Sequence, residues 1–235
     1  INTAVTDMTF PYGGSYAYTG QAVDAQKTPV SLTQTGTTFA VNDFTWSWSG
    51  CDGSKVGTVN VTGTLNADKA AETGYTGTVS GSYTIVPRTK NFDDTTYFKK
   101  DIVINTTDAG EYTGNKLSMD ASAVTVKIAG TDIELPVKSV ETTAPEAGDK
   151  TLKITFDSAK LNATGNFNLS SDPYITTGIK QVAKIAVRDL SKGSAKLNVT
   201  YAVGDIKNEN SVLASRVTLT GADGKAISAT ALGSK

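Results

Sequence analysis

Two stretches of the chain alternate hydroxyl-bearing and apolar residues, and this pattern constrains the fold more than any other sequence feature. The first runs from Val56 to Gly63 and the second from Tyr75 to Ile85. Successive side chains of a β-strand point to opposite faces, so each stretch predicts a strand with one hydroxylated face and one apolar face. A turn is expected between them. Because one face of each strand is apolar, the pattern predicts a sheet that buries that face.

A third strand is predicted at Phe44–Ser49, where aromatic and hydroxyl-bearing residues alternate strictly. Phe44, Trp46 and Trp48 share one face, and we expect them to fill a core because large aromatic side chains dominate core burial. An alternative hypothesis is an exposed aromatic platform that stacks on sugar rings. Its candidate residues are Trp46, Trp48, Tyr12, Tyr16 and Tyr18.

Residues 66–73 separate the two hydroxyl-rich strands and have helical propensity. A segment of this length is too short to form a stable isolated helix. We therefore expect a loop insertion at this position. The turn before Val56 contains Cys51, the single cysteine, which we interpret as a small structural residue and not as a reactive thiol.

The second half of the chain also predicts strands with alternating apolar residues, at 124–128, 133–137 and 152–156. Towards the C-terminus, further strands are predicted at 184–190, 197–203 and 216–220, with a last one near Ile227. Together these patterns predict an all-β protein, built from antiparallel β-sandwiches with almost no helix.

Charge and residue content argue against several classes of function. The 22 basic and 23 acidic residues give a net charge of −1, so no positive surplus exists for binding nucleic acid. The sequence contains no histidine, which is the commonest general base and transition-metal ligand. We therefore predict no catalytic residues, no metal site, no cofactor and no enzymatic activity.

The sequence shows no signal peptide and no apolar run of transmembrane length, so no membrane insertion is predicted. It begins at Ile1 without a methionine. We expect it to be a mature or excised segment of a longer protein.

The first third of the chain resembles a bacterial immunoglobulin-like (Ig-like) surface repeat of the MBG type, over about residues 10–87. That family opens with a "YTG" motif, continues with a "VGTxxVTG" strand and closes with "NYTGT…FTI". The corresponding segments here are Tyr18-Thr19-Gly20, Val56–Gly63, Gly74–Val79 and Tyr83-Thr84-Ile85. The chain departs from the family in the insertion at 66–73 and in the large side chain of Trp46.

The next segment, about residues 88–172, resembles the YDG repeats of bacterial adhesins. Thr89–Thr96 corresponds to the family's "TKxYDGTT" opening, with Asp94 in place of the glycine. Gly148–Thr155 and Leu161–Ser170 correspond to its closing motifs "GxKTVTVT" and "LSGxxAGNYTLS".

These resemblances imply tandem Ig-like β-sandwich domains at 1–87 and 88–173. Residues 174–235 are expected to form a small β-domain or to complete the second sandwich. The implied function is that of a non-enzymatic structural stalk, adhesin segment or surface-layer or fibre subunit, located outside a bacterial cell or on its surface. The implied partners are other surface proteins, host or matrix glycans, or copies of the chain itself. A carbohydrate-binding module that uses the aromatic platform is the alternative.

Overall fold

The computed structural model describes residues 4–22, 26–189, 194–197, 217–220 and 226–227. The first nine strands are β1 Ala4–Thr9, β2 Ser15–Ala17, β3 Ser31–Thr35, β4 Phe44–Gly50, β5 Gly57–Leu65, β6 Thr78–Val86, β7 Lys100–Ile104, β8 Asp108–Glu111 and β9 Ser118–Met119. The other nine are β10 Val124–Ile128, β11 Val137–Thr142, β12 Gly148–Lys150, β13 Leu152–Phe156, β14 Tyr174–Ile175, β15 Ala183–Ala186, β16 Ser194–Leu197, β17 Val217–Thr220 and β18 Ala226–Ile227. The α-helices of the described residues are α1 Ala67–Thr73 and α2 Ser158–Ala163. The chain is thus mostly β with few helices, as the sequence predicts.

The chain divides into two compact units, and each is built from separate segments. The first unit consists of Ile1–Asp101, Val126–Pro136 and Phe156–Pro173. The second consists of Ile102–Thr125, Val137–Thr155 and Tyr174–Lys235. The sequence predicts separate domains at 1–87 and 88–173, each made of one continuous segment. These domain boundaries stay a prediction.

The main sheet of the first unit has the strand order β2-β6-β5-β4. β4, β5 and β6 are antiparallel neighbours, whereas β2 lies parallel to β6. Each row across the sheet places like residues side by side: Ser47 lies opposite Thr62, which lies opposite Ser80. The antiparallel pairing of the two hydroxyl-rich strands agrees with the sequence pattern. β1 and β3 form a separate two-stranded sheet.

One face of β4, β5 and β6 carries only uncharged polar side chains, and we call it the hydroxyl face. Ten of its eleven residues have hydroxyl groups, and all except Thr62 are exposed. They are Thr45, Ser47, Ser49, Thr58, Asn60, Thr62, Thr64, Thr78, Ser80, Ser82 and Thr84. The alternation of the sequence therefore places these side chains in water, as predicted.

The opposite face of the same sheet is apolar, and two glycines in it make room for large side chains. Val59 and Val61 are fully buried there. A Cβ atom on Gly63 would lie 2.5 Å from Cζ3 of the Trp46 ring. A Cβ atom on Gly81 would lie 2.9 Å from Sδ of Met8, which belongs to β1. The indole and the thioether therefore occupy the space that side chains at these two positions would need.

The prediction of a loop at 66–73 is wrong, because Ala67–Thr73 form α1. Its sequence is rich in good helix formers. Gly74 ends the helix in the left-handed conformation, at φ 75°, and its N–H donates to the carbonyl of Ala70. Asn66 anchors the start, because its N–H donates to the carbonyl of Asp43 at 2.9 Å. The local C-terminal cap and the tertiary bond to Asp43 add to the marginal intrinsic stability of so short a helix.

The rest of the first unit is organised around α2 and a group of phenylalanines. The carboxylate of Asp157 accepts a hydrogen bond from the N–H of Lys160 and so caps α2. Aromatic rings pack against one another in this core, with centroids 4.7–6.0 Å apart. They belong to Phe92, Phe98, Phe156 and Phe167. The sequence pattern did not predict α2.

The strand predicted at 133–137 is wrong over its first part. Glu134 forms only an isolated bridge with Lys127, and β11 begins at Val137. Pro136 has no N–H to donate and therefore interrupts a continuous ladder. The predicted strands at 124–128 and 152–156 coincide with β10 and β13.

The second unit contains the sheets β14-β13-β11-β9 and β12-β15-β8, and β8 runs parallel to β15. Thr142 is fully buried, and its hydroxyl accepts a hydrogen bond from the N–H of Leu117 at 2.9 Å. β16, β17 and β18 form a three-stranded antiparallel sheet. β15 covers only the first part of the strand predicted at 184–190, because it ends at Ala186. Residues 190, 198–203 and 216 of the predicted C-terminal strands lie outside the described residues.

We predict that Gly63→Ala destabilises the first unit by about 1–3 kcal/mol, because the new methyl group overpacks the rigid Trp46 ring. Gly81→Ala is the matched control, and we expect a smaller cost because the flexible Met8 side chain can move. Urea denaturation followed by tryptophan fluorescence measures both, since both tryptophans of the chain lie in β4.

A double variant separates the clash from other effects of the substitution. Replacing Trp46 by leucine should recover most of the stability that Gly63→Ala loses, so the two changes should be strongly non-additive. Additive losses would contradict the assignment of Gly63 to the space under the indole.

Candidate functional site

The two tryptophans of the predicted platform lie on the inner face of β4, and both are half-buried. Nε1 of Trp46 donates a hydrogen bond to the carbonyl of Val41, and Nε1 of Trp48 donates to the carbonyl of Lys27, each at 3.1 Å. The neighbouring Phe44 is buried. β4 therefore buries one aromatic ring and leaves parts of two indoles in contact with water.

Lys27 connects Trp48 with two tyrosines: Tyr16, which belongs to the predicted platform, and Tyr83, which does not. Its carbonyl binds Trp48, while its N–H donates to the hydroxyl oxygen of Tyr83 at 2.9 Å. Its ammonium group lies 5.4 Å from the centre of the Tyr16 ring. Tyr16 and Tyr83 pack edge to face, with centroids 5.3 Å apart. We call Lys27, Trp48, Tyr16 and Tyr83 the Lys27 cluster.

Tyr12 is the most exposed aromatic residue of the platform, with 90% of its surface in contact with water. It lies in the turn Pro11–Gly14 and has the left-handed backbone conformation, at φ 53°. This conformation is unfavourable for a bulky residue. The hydroxyl of Tyr16 donates to the carbonyl of Pro11 at 2.5 Å and so ties the turn to β2.

Tyr18 lies apart from the other four platform residues. It is fully buried and packs edge to face against Phe167, with centroids 5.4 Å apart. A buried ring has no face free for a sugar. The surface that the structure assembles from the predicted platform therefore consists of Trp46, Trp48, Tyr12 and Tyr16.

Tyr16 and Tyr83 remain protonated at neutral pH. Burial raises the pKa of Tyr16, and the neighbouring Tyr83 and Tyr12 raise it further. Burial also raises the pKa of Tyr83, while the hydrogen bond from the N–H of Lys27 opposes this shift. These hydroxyl groups therefore act as neutral hydrogen-bonding groups and not as bases.

A second polar constellation lies in the core of the first unit and consists of Arg88, Lys100, Phe92 and Phe98. We call it the buried cation cluster. Arg88 is buried, and its Nε donates to the carbonyl of Tyr18 at 2.8 Å. Its guanidinium carbon lies 4.5 Å from the centre of the Phe98 ring. Carbonyl dipoles and a ring face thus replace water around this charge.

Lys100, the first residue of β7, binds backbone carbonyls of the loop that precedes this strand. Its ammonium group donates to the carbonyls of Phe92 at 2.5 Å, Phe98 at 2.7 Å and Asp94 at 3.2 Å. It also lies 4.4 Å from the centre of the Phe98 ring. Each of the three donor hydrogens of the ammonium group has a carbonyl partner. The role of Lys100 is therefore structural.

Burial lowers the pKa of Lys100 to about 8, with a contribution in the same direction from Arg88 and opposing ones from Asp94 and Asp93. Asp94 is itself held by the loop. Hydrogen bonds from the N–H groups of Tyr97 and Thr96 lower the pKa of its carboxyl group. The loop therefore stabilises its own carboxylate through backbone donors.

Each unit also has an open groove among the described residues. In the first unit a groove of about 270 Å³ is lined by Phe39, Phe44, Leu65 and Tyr75, among others. In the second unit a groove of about 570 Å³ is lined by polar residues that include Asn105, Asp108 and Asp120. Within the described ranges, no cluster of three or more acidic or cysteine side chains is suited to hold a metal ion.

The thiol of Cys51 is buried and donates a hydrogen bond to the carbonyl of Lys55 at 2.7 Å. The side chain of Cys51 lies against Gly57. A Cβ atom at position 57 would be 3.3 Å from the Cβ atom of Cys51. The side chain therefore fills a confined space in the turn between β4 and β5.

Sequence reasoning did not identify Lys27, Arg88 or Lys100. Lys27 follows a polar stretch with no periodic pattern, so nothing local indicates its three contacts. The basic residues at 88 and 100 flank Phe92 and Phe98, and this arrangement of cations around aromatic residues is the one signal that could have suggested a buried cluster.

In the described part of the chain, neither helix approaches the length and apolar character that crossing a bilayer requires. No family model, curated protein or solved structure matches the chain.

We predict that the free energy of unfolding rises with pH above about 8 and that Lys100→Met removes this rise. The folded protein releases the Lys100 proton near pH 8, whereas the unfolded chain holds it to about pH 10.4. The unfolded state therefore binds more protons in this interval, which makes stability increase with pH. Because Lys100 is only half-buried, the slope should stay below the limit of about 1.4 kcal/mol per pH unit.

Urea denaturation at several pH values between about 7 and 9.5 measures this slope, below the titration of most tyrosines. Lys99→Met is the matched control, because Lys99 is exposed and adjacent in sequence. The slope, and not the stability at one pH, is the readout, since methionine also removes three hydrogen bonds. An equal slope in the wild type and in Lys100→Met would contradict the prediction.

Proposed function

We propose that the chain is a non-enzymatic structural or adhesive module of a bacterial cell surface, built from tandem Ig-like sandwiches. The observation that carries this proposal is the hydroxyl face. Eleven uncharged polar side chains on three adjacent strands form one face of a sheet that buries its other face, and ten of the eleven are exposed to water. Such a surface makes many weak hydrogen bonds, and these depend little on ionic strength.

The internal chemistry of the first unit supports a mechanical role. Arg88 and Lys100 bind backbone carbonyls and contact an aromatic ring: Arg88 reaches the distant Tyr18, and Lys100 fastens its own loop. Arg88 connects Tyr18 with the backbone of residues 166–168, next to the direct contact between the Tyr18 and Phe167 rings. Groups with all donors engaged in this way support rigidity and not proton transfer.

The sequence resemblances give the proposal its cellular context. The MBG-like segment at 10–87 and the YDG-like segment at 88–172 are both similar to repeats of bacterial surface proteins. The partners proposed on this basis are other surface proteins, host or matrix glycans, or further copies of the chain. The proposal includes neither nucleic-acid binding nor insertion into a membrane.

We predict that antibodies raised against the chain label intact cells of the bacterium that produces it. Protease added to intact cells should remove the label, while a cytoplasmic marker protein remains undigested. A signal that appears only after lysis would contradict a surface location.

A second candidate function is carbohydrate binding, and the exposure of Tyr12 together with the half-exposed Trp48 favours it. Tyr16 and Lys27 connect the two residues: Tyr16 donates to the carbonyl of Pro11 next to Tyr12, and Lys27 contacts both the Tyr16 ring and the Trp48 indole. An aromatic surface of this kind can stack on the apolar face of a sugar ring.

If this candidate is correct, Tyr12→Ala should weaken retention on an insoluble polysaccharide by about tenfold, the loss expected when one stacking ring is removed. Tyr12 makes little contact with the core, so this variant should remain folded. Tyr97→Ala is the control, because Tyr97 is another exposed tyrosine of the same unit. Equal retention of both variants and the wild type would exclude a role for Tyr12.

A further inference from the structure

β4 is the longest edge strand in the described part of the chain. It pairs with β5 on one side, and no described residue pairs with its other side. β4 occupies the end of the order β2-β6-β5-β4 and has seven residues. An open strand edge presents unpaired N–H and C=O groups, which form a template for pairing with another chain.

The hydrogen-bonding pattern identifies which groups of β4 are open. The N–H of Cys51 donates to the carbonyl of Thr58 at 2.9 Å, so Cys51 belongs to a hydrogen-bonded pair with β5. Alternation along an antiparallel ladder then directs the groups of Ser49, Ser47 and Thr45 towards β5. The backbone groups of Trp46, Trp48 and Gly50 point outward. The N–H of Phe44 is used internally, by the carbonyl of Val41.

β4 lacks the features that normally protect an edge from pairing. Those features are charged residues, proline, bulges and short length. The sequence of β4, FTWSWSG, contains no charge and no proline, and its register with β5 has no irregularity.

Several other edges of the described sheets have such protection. β1 contains Asp7 and a shift in register, and β2 has three residues. β8 contains Asp108 and Glu111, and β12 contains Asp149 and Lys150. β3 is uncharged as well, but it has five residues and pairs with β1 across the shift in register, so β4 is the longest and most regular of the uncharged edges.

The side chains next to this edge leave it accessible. The Trp46 ring leans over Gly63 of β5, away from the outer edge. Ser47 and Ser49 are exposed on the hydroxyl face. A strand that approaches the edge therefore meets backbone groups flanked by small hydroxylated side chains.

We propose that two copies of the chain associate through antiparallel pairing of their β4 strands about a two-fold axis at Ser47. In this register Trp46 of one copy forms a hydrogen-bonded pair with Trp48 of the other, and all the outward groups of both residues are used. The uncharged sequence makes the edge complementary to itself, because no like charges meet. The two four-stranded sheets then form one eight-stranded sheet, and the hydroxyl faces of the two copies form one continuous surface across six of its strands.

The pairing specifies one of the partners named in the proposed function, a second copy, and it depends on β4 alone. A cytoplasmic location would contradict the proposed function without affecting the pairing. A monomeric chain would contradict the pairing and leave the surface location intact.

Sedimentation of the full chain over a range of concentrations tests the proposal. The wild type should form a dimer, and Ser47→Lys should weaken its dissociation constant by roughly tenfold or more, because two ammonium groups face each other across the axis. Ser80→Lys is the matched control, since Ser80 lies on the same face but in the interior strand β6. This variant should dimerise as the wild type does.

Salt separates repulsion from misfolding. At about 1 M salt, where the Debye length is about 3 Å, dimerisation of Ser47→Lys should recover in part. Unchanged far-ultraviolet circular dichroism should confirm that the variant is folded, because the fluorescence of Trp46 and Trp48 would itself change when the two copies dissociate. A wild type that stays monomeric at every concentration, or equal dimerisation of the two lysine variants, would overturn the proposal.

Cross-linking tests the register directly. In the proposed dimer, Ser47 of one copy lies opposite Ser47 of the other in a non-hydrogen-bonded pair. The Cβ atoms of the two serines are then about 4.5–5.5 Å apart. In a Cys51→Ser background, Ser47→Cys should oxidise rapidly to a disulfide-linked dimer, while Ser80→Cys should not. Equal cross-linking at both positions would contradict the two-fold pairing of β4. The same result is expected if a different segment occupies the edge, and it would contradict the proposal in that case too.

Discussion

The first unit depends on the close packing of Trp46 against Gly63 and of Met8 against Gly81. In a sheet whose other face is entirely polar, the apolar face must supply the hydrophobic stabilisation of these strands. Glycines at these positions let the large side chains lie directly on the backbone of β5 and β6. The alternation of hydroxyl and apolar residues is what separates the two faces. It therefore determines both the core and the hydroxyl face on which the proposed function rests.

The buried cation cluster solves a different problem, that of a loop with unpaired carbonyls beside an aromatic core. Buried carbonyls without partners are costly. The ammonium group of Lys100 binds three of them, and Arg88 binds the carbonyl of Tyr18. The Phe98 ring contacts both cations. The same burial that makes these contacts strong lowers the pKa of Lys100, so a structural device becomes sensitive to pH.

The sequence predicted the parts of the fold that depend on local alternation. β4, β5, β6, β10 and β13 all follow from it, and so does the uncharged outer face. Features that depend on long-range contacts could not be predicted in this way. The start of α1 is held by the bond from Asn66 to Asp43, 23 residues earlier, and Tyr18 is buried against Phe167, a residue far away in sequence. Lys27 joins Trp48 to Tyr16 through backbone atoms, which leave no pattern in the sequence.

The separation of the two faces can be measured by the rate of thiol labelling in the folded protein, with Cys51 replaced by serine. Ser80→Cys places a thiol on the hydroxyl face, whereas Val61→Cys places one on the fully buried face of the neighbouring strand. The account predicts that a maleimide reagent labels position 80 at the rate of an unfolded peptide and labels position 61 only when the protein unfolds. Similar rates at the two positions in the folded protein would contradict it.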